Sequence, residues 1–138
     1  MTELGERWPI HLWLAATAAT ATCLLDLATK WGATGAAVET LRFHDRPTAE
    51  LLPFVVIVVA LLVTTSLAGS PALDLAAGLV AGGALGNIAS AFLWRQGIPD
   101  FIPAHGSLLN VGDVAMAVGV AGLVAVSLLL ARRELAPR

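Results

Sequence analysis

Residues 107–133, SLLNVGDVAMAVGVAGLVAVSLLLARR, decide the fold. Apart from Asp113 this is an apolar run that closes on the pair Arg132 and Arg133, and roughly 20 such residues are what an α-helix needs to cross a bilayer. The rest of the chain has the same character. Of its 138 residues 57% are hydrophobic and 13% charged, with a mean hydropathy of +0.81, far from the makeup of a soluble domain. Further runs rich in Ala and Leu lie at about 9–29, 52–69 and 72–94, beside the one at about 109–131. A membrane barrel would need alternating polarity in segments of roughly ten residues, and these runs do not alternate. The expected fold class is therefore all-α, an integral membrane four-helix bundle forming a single domain over 1–138.

Charge and cysteine content exclude some classes. A net charge of −2 and a pI near 5.8 show no basic excess of the kind that binds nucleic acid. Cys23 stands alone, so it forms no intrachain disulfide and reads as a small buried hydrophobe. His11, His44 and His105 are scattered, without the close spacing of a zinc motif, so they suggest no metal site. Glu3 and Glu6 outweigh Arg7 ahead of the first apolar run, which is longer than the roughly 7–15 residues of a signal-peptide core. It reads as a retained anchor.

The connections sort the polar residues by side. GSP at 69–71 is a tight turn between the second and third runs, with Pro71 suited to open a helix; the first and second runs are joined by the much longer GATGAAVETLRFHDRPTAELLP. Because successive helices alternate in direction, the end of the first, the end of the third and the start of the fourth share one side. Asp26, Asn87, Asp100, Asn110 and Asp113 therefore converge there. Gly78, Gly82 and Gly86, spaced by four, form a close-packing face. Lys30, Arg42, Arg46 and Arg95 on the decorated side balance Arg7, Arg132, Arg133 and Arg138 on the other. Arg132 and Arg133 directly abut the last helix, where the positive-inside rule has most force, and this places both termini in the cytoplasm.

Each carboxylate has a structural reading beside a chemical one. Asn110 and Asp113, three apart, fit a capping box at a helix start; Asp100 fits a turn between prolines; Asp74, just after Pro71, fits a helix-start carboxylate and nothing more. Yet an ionisable side chain in a membrane helix is costly, about 2.5–3.5 kcal/mol at its centre, and points to function. Two carboxylates sharing one proton at a membrane boundary can activate a water and polarise a carbonyl, which is the chemistry of aspartic proteases. Such a pair titrates as a unit. The one serine near a base on this side, Ser107 by His105, makes a poor nucleophile pair.

These residues resemble the lipoprotein signal peptidases, or signal peptidase II, which are four-helix membrane aspartic endopeptidases. The family's D-x-x-[ST]-K looks like DLATK, Asp26 to Lys30; its glycine-asparagine motif looks like GGALGN, ending at Gly86 and Asn87; its two catalytic segments look like IPDFI with Asp100 and LNVGD with Asp113. The resemblance implies Asp100 and Asp113 as the catalytic dyad, with Asp26, Lys30, Gly86, Asn87 and Asn110 as substrate-binding or supporting groups. It also implies a lipid-modified prolipoprotein substrate cut just before its modified cysteine, a bacterial inner (cytoplasmic) membrane, and no metal or organic cofactor.

The chain departs from the family in two places. The usual G-N-x-x-D-R reads GNIASA here, so Ser90 and Ala91 stand where an acid and an arginine would be, and a charged support of the site is expected to be missing. Arg95, in the turn beyond, is a candidate replacement. The segment between the first two helices is short, and ATGAAV, 33–38, only partly matches the family's N-x-G-A-A-F, so the sheet that cradles substrate is expected to be reduced. These departures motivate an alternative, a catalytically inactive relative that acts as a membrane binding or structural protein. A small four-helix transporter would instead carry an acid near mid-membrane.

Overall fold

The computed structural model describes the backbone of residues 3–45 and 51–135 and the side chains of 12–45 and 53–135. Arg7, Arg46 and Arg138, on which the charge count partly rests, lie outside the described side chains, as does His11. Four helices run α1 Glu3–Gly35, α2 Leu51–Leu67, α3 Pro71–Leu93 and α4 Val111–Leu135; short strands β1 Arg42–His44, β2 Ile98–Asp100, β3 Ile102–Ala104 and β4 Ser107–Leu109 lie between them. Among the described residues, three helical segments are long and apolar enough to cross a membrane: Leu12–Gly35, Pro71–Leu93 and Val111–Leu135. The chain is a membrane protein built as a helical bundle.

The sequence expects four spans of comparable length, and α2 falls short of that. Its 17 residues reach about 26 Å at the usual rise. The shortfall has a local cause at one end: the turn at Ala68 and Gly69, with Gly69 at φ 65°, closes the helix two residues before the sequence pattern does. α1 runs longer than its apolar pattern, ending in a complete C-cap. Val38 N–H donates to Ala33 O and Ala37 N–H to Thr34 O, both at 3.3 Å, with Ala37 itself left-handed at φ 48°. This is the Schellman arrangement, with alanine in the position where glycine is usual.

α3 is the central helix. One of its faces packs on α1 and carries the expected glycine row: a methyl on Gly78 would meet Ala18 Cβ at 2.6 Å, and one on Gly82 would strike the backbone of Ala19. Its other face meets α4 just as closely. Gly83 and Gly112 lie against each other's carbonyls, and a methyl on Gly119 would come within 2.7 Å of Ala76 O. Little apolar area lies between such helices; the gain comes from close backbone approach and dispersion, the terms that remain when lipid is as apolar as the protein.

The sequence anticipates only a reduced sheet after the first helix; among the described residues the strands form two two-stranded sheets, and they shape the site. β1 pairs antiparallel with β2, Arg42 opposite Asp100 and His44 opposite Ile98. β3 pairs with β4, Ala104 opposite Ser107, through a two-residue turn in which His105 (φ 35°) and Gly106 (φ 87°) are both left-handed, as a type I′ hairpin demands. Between the two sheets only Phe101 intervenes; its N–H donates to Leu109 O and its carbonyl accepts from Thr40 Oγ1, both at 2.9 Å. Asp100 thus sits in a buried strand, where the sequence places a turn residue.

Candidate active site

α4 begins with a capping box. Asp113 N–H donates to Asn110 Oδ1 at 3.0 Å, and Asn110 N–H donates back to Asp113 Oδ2 at 3.1 Å. The Asn110 amide also reaches the other acid, its Nδ2 donating to Asp100 Oδ1 at 2.6 Å. One buried asparagine therefore holds both carboxylates, one from β2 and one from the first turn of α4. The capping reading of LNVGD is met, and the same asparagine brings Asp113 and Asp100 together.

Behind Asp113 stands Asn87 of α3. Its Nδ2 donates to Asp113 Oδ1 at 2.8 Å, while its Oδ1 accepts from Lys30 Nζ at 2.7 Å. Lys30 is wholly buried, as is Asp26 one turn before it on α1. A buried ammonium is tolerable only if its charge and all three protons are matched. Here they are: Lys30 Nζ donates to Asp26 Oδ2 at 2.6 Å, to Asn87 Oδ1, and to Ser90 Oγ at 3.0 Å. Ser90 passes its own proton to Gly86 O at 2.6 Å. Asp26 Oδ1 accepts from Gly112 N–H at 2.6 Å, which ties the pair to the positive end of α4. Gly86 is required in this arrangement, because a methyl there would overlap the Asp26 carboxylate.

α3 carries Ser90 and Ala91 where the family's acid and arginine would stand, so no charged side chain of α3 supports the site at these positions. Ser90 is buried and accepts a proton of Lys30, so the cation next to it arrives from α1. The reason is geometric: the glycine row draws α1 close enough for a lysine one turn beyond Asp26 to reach the α3 face. Arg95 is exposed in the turn after α3 and does not line the cleft. Asp74, expected to be a simple helix-start carboxylate, is fully buried on the opposite side of the bundle. Ser107 Oγ donates to Ala104 O at 2.9 Å, an arrangement that does not activate it.

Asp100 and Asp113 open on one cleft of about 540 Å³. Asn87 and Asn110 share its floor, Ile98, Leu108 and Leu109 give apolar wall, and Arg42, Phe43 and His44 of β1 form a rim. No local pattern in the chain announces this rim, because β1 acquires its position only by pairing with β2. Arg42 stands opposite Asp100, but its guanidinium is engaged elsewhere, Nη1 donating to Leu41 O at 2.8 Å and Glu39 O at 3.2 Å. Burial pushes the Asp100 carboxyl above the ordinary carboxylate range, and the charge of Asp113 adds to this; the hydrogen bond from Asn110 opposes it, as do His44 and Lys30. A buried acid inclined to keep its proton beside a second, hydrogen-bonded carboxylate can both donate a proton to an oxygen and accept one from water.

The Signal peptidase (SPase) II family model matches residues 29–129. A lipoprotein signal peptidase of Shouchella clausii (strain KSM-K16) is 38% identical over 79 residues, which is 56% of this chain and 51% of that protein. The chain spans about half the length of the curated relative it matches. No solved structure matches it. The family match takes in Lys30, Asn87, Ser90, Asp100, Asn110 and Asp113, the residues that meet around the cleft, and by that match the chain belongs to the signal peptidase II family.

Proposed function

We propose that the protein is a membrane aspartic endopeptidase that removes the signal peptide from lipid-modified prolipoproteins, with Asp100 and Asp113 as its catalytic dyad. The observation that carries the reading is the double grip of Asn110, which binds both carboxylates at the floor of one cleft. In the reaction a water held between the acids attacks the scissile carbonyl while the dyad takes one proton from the water and gives one to the carbonyl oxygen. The buried floor limits bulk water, and the apolar wall suits a peptide arriving from lipid.

On this reading the protein belongs to the bacterial inner membrane, with all four helices crossing as one domain. Arg132 and Arg133 at the end of α4 set both termini in the cytoplasm, and the acids then lie at the opposite, outer leaflet. A diacylglyceryl-modified cysteine anchored in that leaflet would offer its preceding peptide bond to the cleft. The inactive-relative reading rests on Ser90, Ala91 and the shortened segment between the first two helices; of these, Ser90 joins the network beneath the dyad through its hydroxyl.

The test is cleavage of a lipidated prolipoprotein by the purified protein in detergent or proteoliposomes. Wild type is expected to release the signal peptide, and Asp100→Asn and Asp113→Asn to lose at least about a thousandfold in rate. An inactive wild type, or either variant retaining most of its activity, overturns the proposal.

A further inference from the structure

The two acids are held differently, and the difference begins at Lys30. Both oxygens of Asp113 accept hydrogen bonds, Oδ1 from Asn87 Nδ2 at 2.8 Å and Oδ2 from Asn110 N–H at 3.1 Å. Both donors are amides with no lone pair to offer in return at those atoms. A protonated Asp113 would have to turn its O–H against one of them. Among the described residues, Asp100 accepts a side-chain donor at Oδ1 alone, from Asn110. Its second oxygen is the one on which a proton meets no opposing donor.

The donor at Asp113 Oδ1 is an amide that could have pointed the other way. An asparagine rotated by half a turn about its last bond presents oxygen in place of nitrogen. Here that choice is closed by Lys30, whose ammonium offers a proton to Asn87 Oδ1 at 2.7 Å. The ammonium cannot turn aside, because its other two protons are committed to Asp26 Oδ2 and Ser90 Oγ, and Ser90 is itself committed to Gly86 O. Asp26 is pinned in turn by Gly112 N–H. Among the described residues, the charged and titratable groups around the dyad are Asp26 and Lys30 from α1 and Arg42 and His44 from β1, with uncharged Asn87 and Ser90 from α3. Of these, only the Lys30–Asn87 line makes a directed contact with Asp113.

We infer that Lys30 is a positioning residue which, through Asn87, keeps Asp113 as the carboxylate of the dyad and leaves the shared proton on Asp100. This deepens the protease reading and rests on it for the reaction. Asp113 then takes a proton from the attacking water as its oxygen bonds to the scissile carbon, and Asp100 gives its proton to the carbonyl oxygen. On collapse of the resulting diol the carbon–nitrogen bond breaks, Asp113 passes its proton to the leaving nitrogen, and Asp100 recovers one from a diol hydroxyl. One water is consumed, and the dyad returns to its starting protonation.

The experiment follows the aspartate carboxyl signals by ¹³C NMR in detergent micelles, assigned with Asp100→Asn and Asp113→Asn. It is read beside the pH dependence of cleavage. In wild type, over the range in which the pair holds one proton, Asp113 is expected to give a carboxylate signal and Asp100 a carboxylic acid signal. Asn87→Asp replaces the donor at Asp113 by a like charge. It is expected to move the proton onto Asp113 and to raise the acidic limb of the rate profile by about one pH unit. A merely structural role for Asn87 would lower the rate evenly at every pH.

Should Asn87→Asp fail to fold, the paired change Lys30→Met with Asp26→Asn removes the ammonium without stranding a buried charge; the two carboxyl signals are then expected to converge as Asn87 loses its fixed orientation. A carboxylic acid signal on Asp113 in wild type overturns the inference, as does an unchanged proton position and pH profile in the variants. If the signals behave as expected while wild type cleaves no lipidated prolipoprotein, the protease reading fails and the Lys30 inference stands.

Discussion

Asn110 and Asp113 cap one another, the Asp113 N–H on Asn110 Oδ1 at 3.0 Å and the Asn110 N–H on Asp113 Oδ2 at 3.1 Å. The same side chain that starts α4 also reaches Asp100, so the helix terminus and the site share one residue. Stability and activity are nevertheless separable here. Asn110→Ala should cost about 1 kcal/mol through the lost cap and on the order of a hundredfold in cleavage rate through the released acids. Asn110→Ser keeps a good capping residue and is too short to donate to Asp100. It is expected to hold its thermal midpoint in detergent near that of wild type while losing activity as fully as the alanine variant; equal retention of both would contradict the shared role.

Burial, and then Asp113, hold Asp100 above the ordinary carboxylate range. A raised folded value means that the protonated form favours folding. That contribution is complete below the unfolded carboxylate range, near pH 4, and is lost as pH rises through the higher folded value. Asp100→Asn cannot ionise and should therefore gain thermal stability over wild type as pH rises from 4 to 8, the difference growing with pH. Unfolding scans of both proteins across that range check the sign. A gap that narrows toward pH 8 would show the acid to be better solvated than the strand pairing implies.

Lys30 and Asp26 are both inaccessible to solvent and 2.6 Å apart. Removing one partner strands the other, at about 3–5 kcal/mol, whereas removing both is far milder. Lys30→Met alone should thus be severely destabilised, and Lys30→Met combined with Asp26→Asn should recover most of the loss. Denaturant titrations in mixed micelles read the difference, and a double variant as unstable as the single would mean that the pair matters for its shape and not for its charge.

Two glycines on α1 and α3 make opposite predictions for the same change. Gly86→Ala drives a methyl into the Asp26 carboxylate, so α1 must shift from α3, at a cost of about 1–3 kcal/mol. A methyl on Gly32 meets nothing within 4 Å, and Gly32→Ala should gain up to about 1 kcal/mol from helix propensity. Thermal midpoints of the two variants measured side by side test both. If Gly86→Ala were neutral, the close approach of α1 and α3 at the site would be wrong.

Much of this architecture is legible in the order of residues. Long runs without alternation mean helices, because lipid offers no partner for backbone groups and only a helix satisfies its own. The alternation of helix direction then sets Asp26, Asn87, Asp100, Asn110 and Asp113 on one side by counting alone, and the spacing of Asn110 and Asp113 announces a cap. The local motifs DLATK, GGALGN, IPDFI and LNVGD are contiguous in the chain, which is why the family resemblance could be seen. α2 was harder to bound, since a tight turn at Gly69 and not hydropathy ends it. The bounds of the strands are not legible in the sequence, because each has three residues and no periodicity of its own.

The sequence by itself determined that this is a helical membrane protein whose acids gather at one end, since burial of apolar runs and the direction of the chain are one-dimensional facts. Only the tertiary structure decided that Ser90 is an acceptor for Lys30, that β1 rims the cleft, and that Asn87 turns its nitrogen toward Asp113. Those depend on contacts between residues far apart in the chain, Lys30 with Ser90 and Arg42 with Asp100. The Lys30 contacts exist because glycines let α1 and α3 approach within the reach of a single ammonium, a distance that no local pattern encodes.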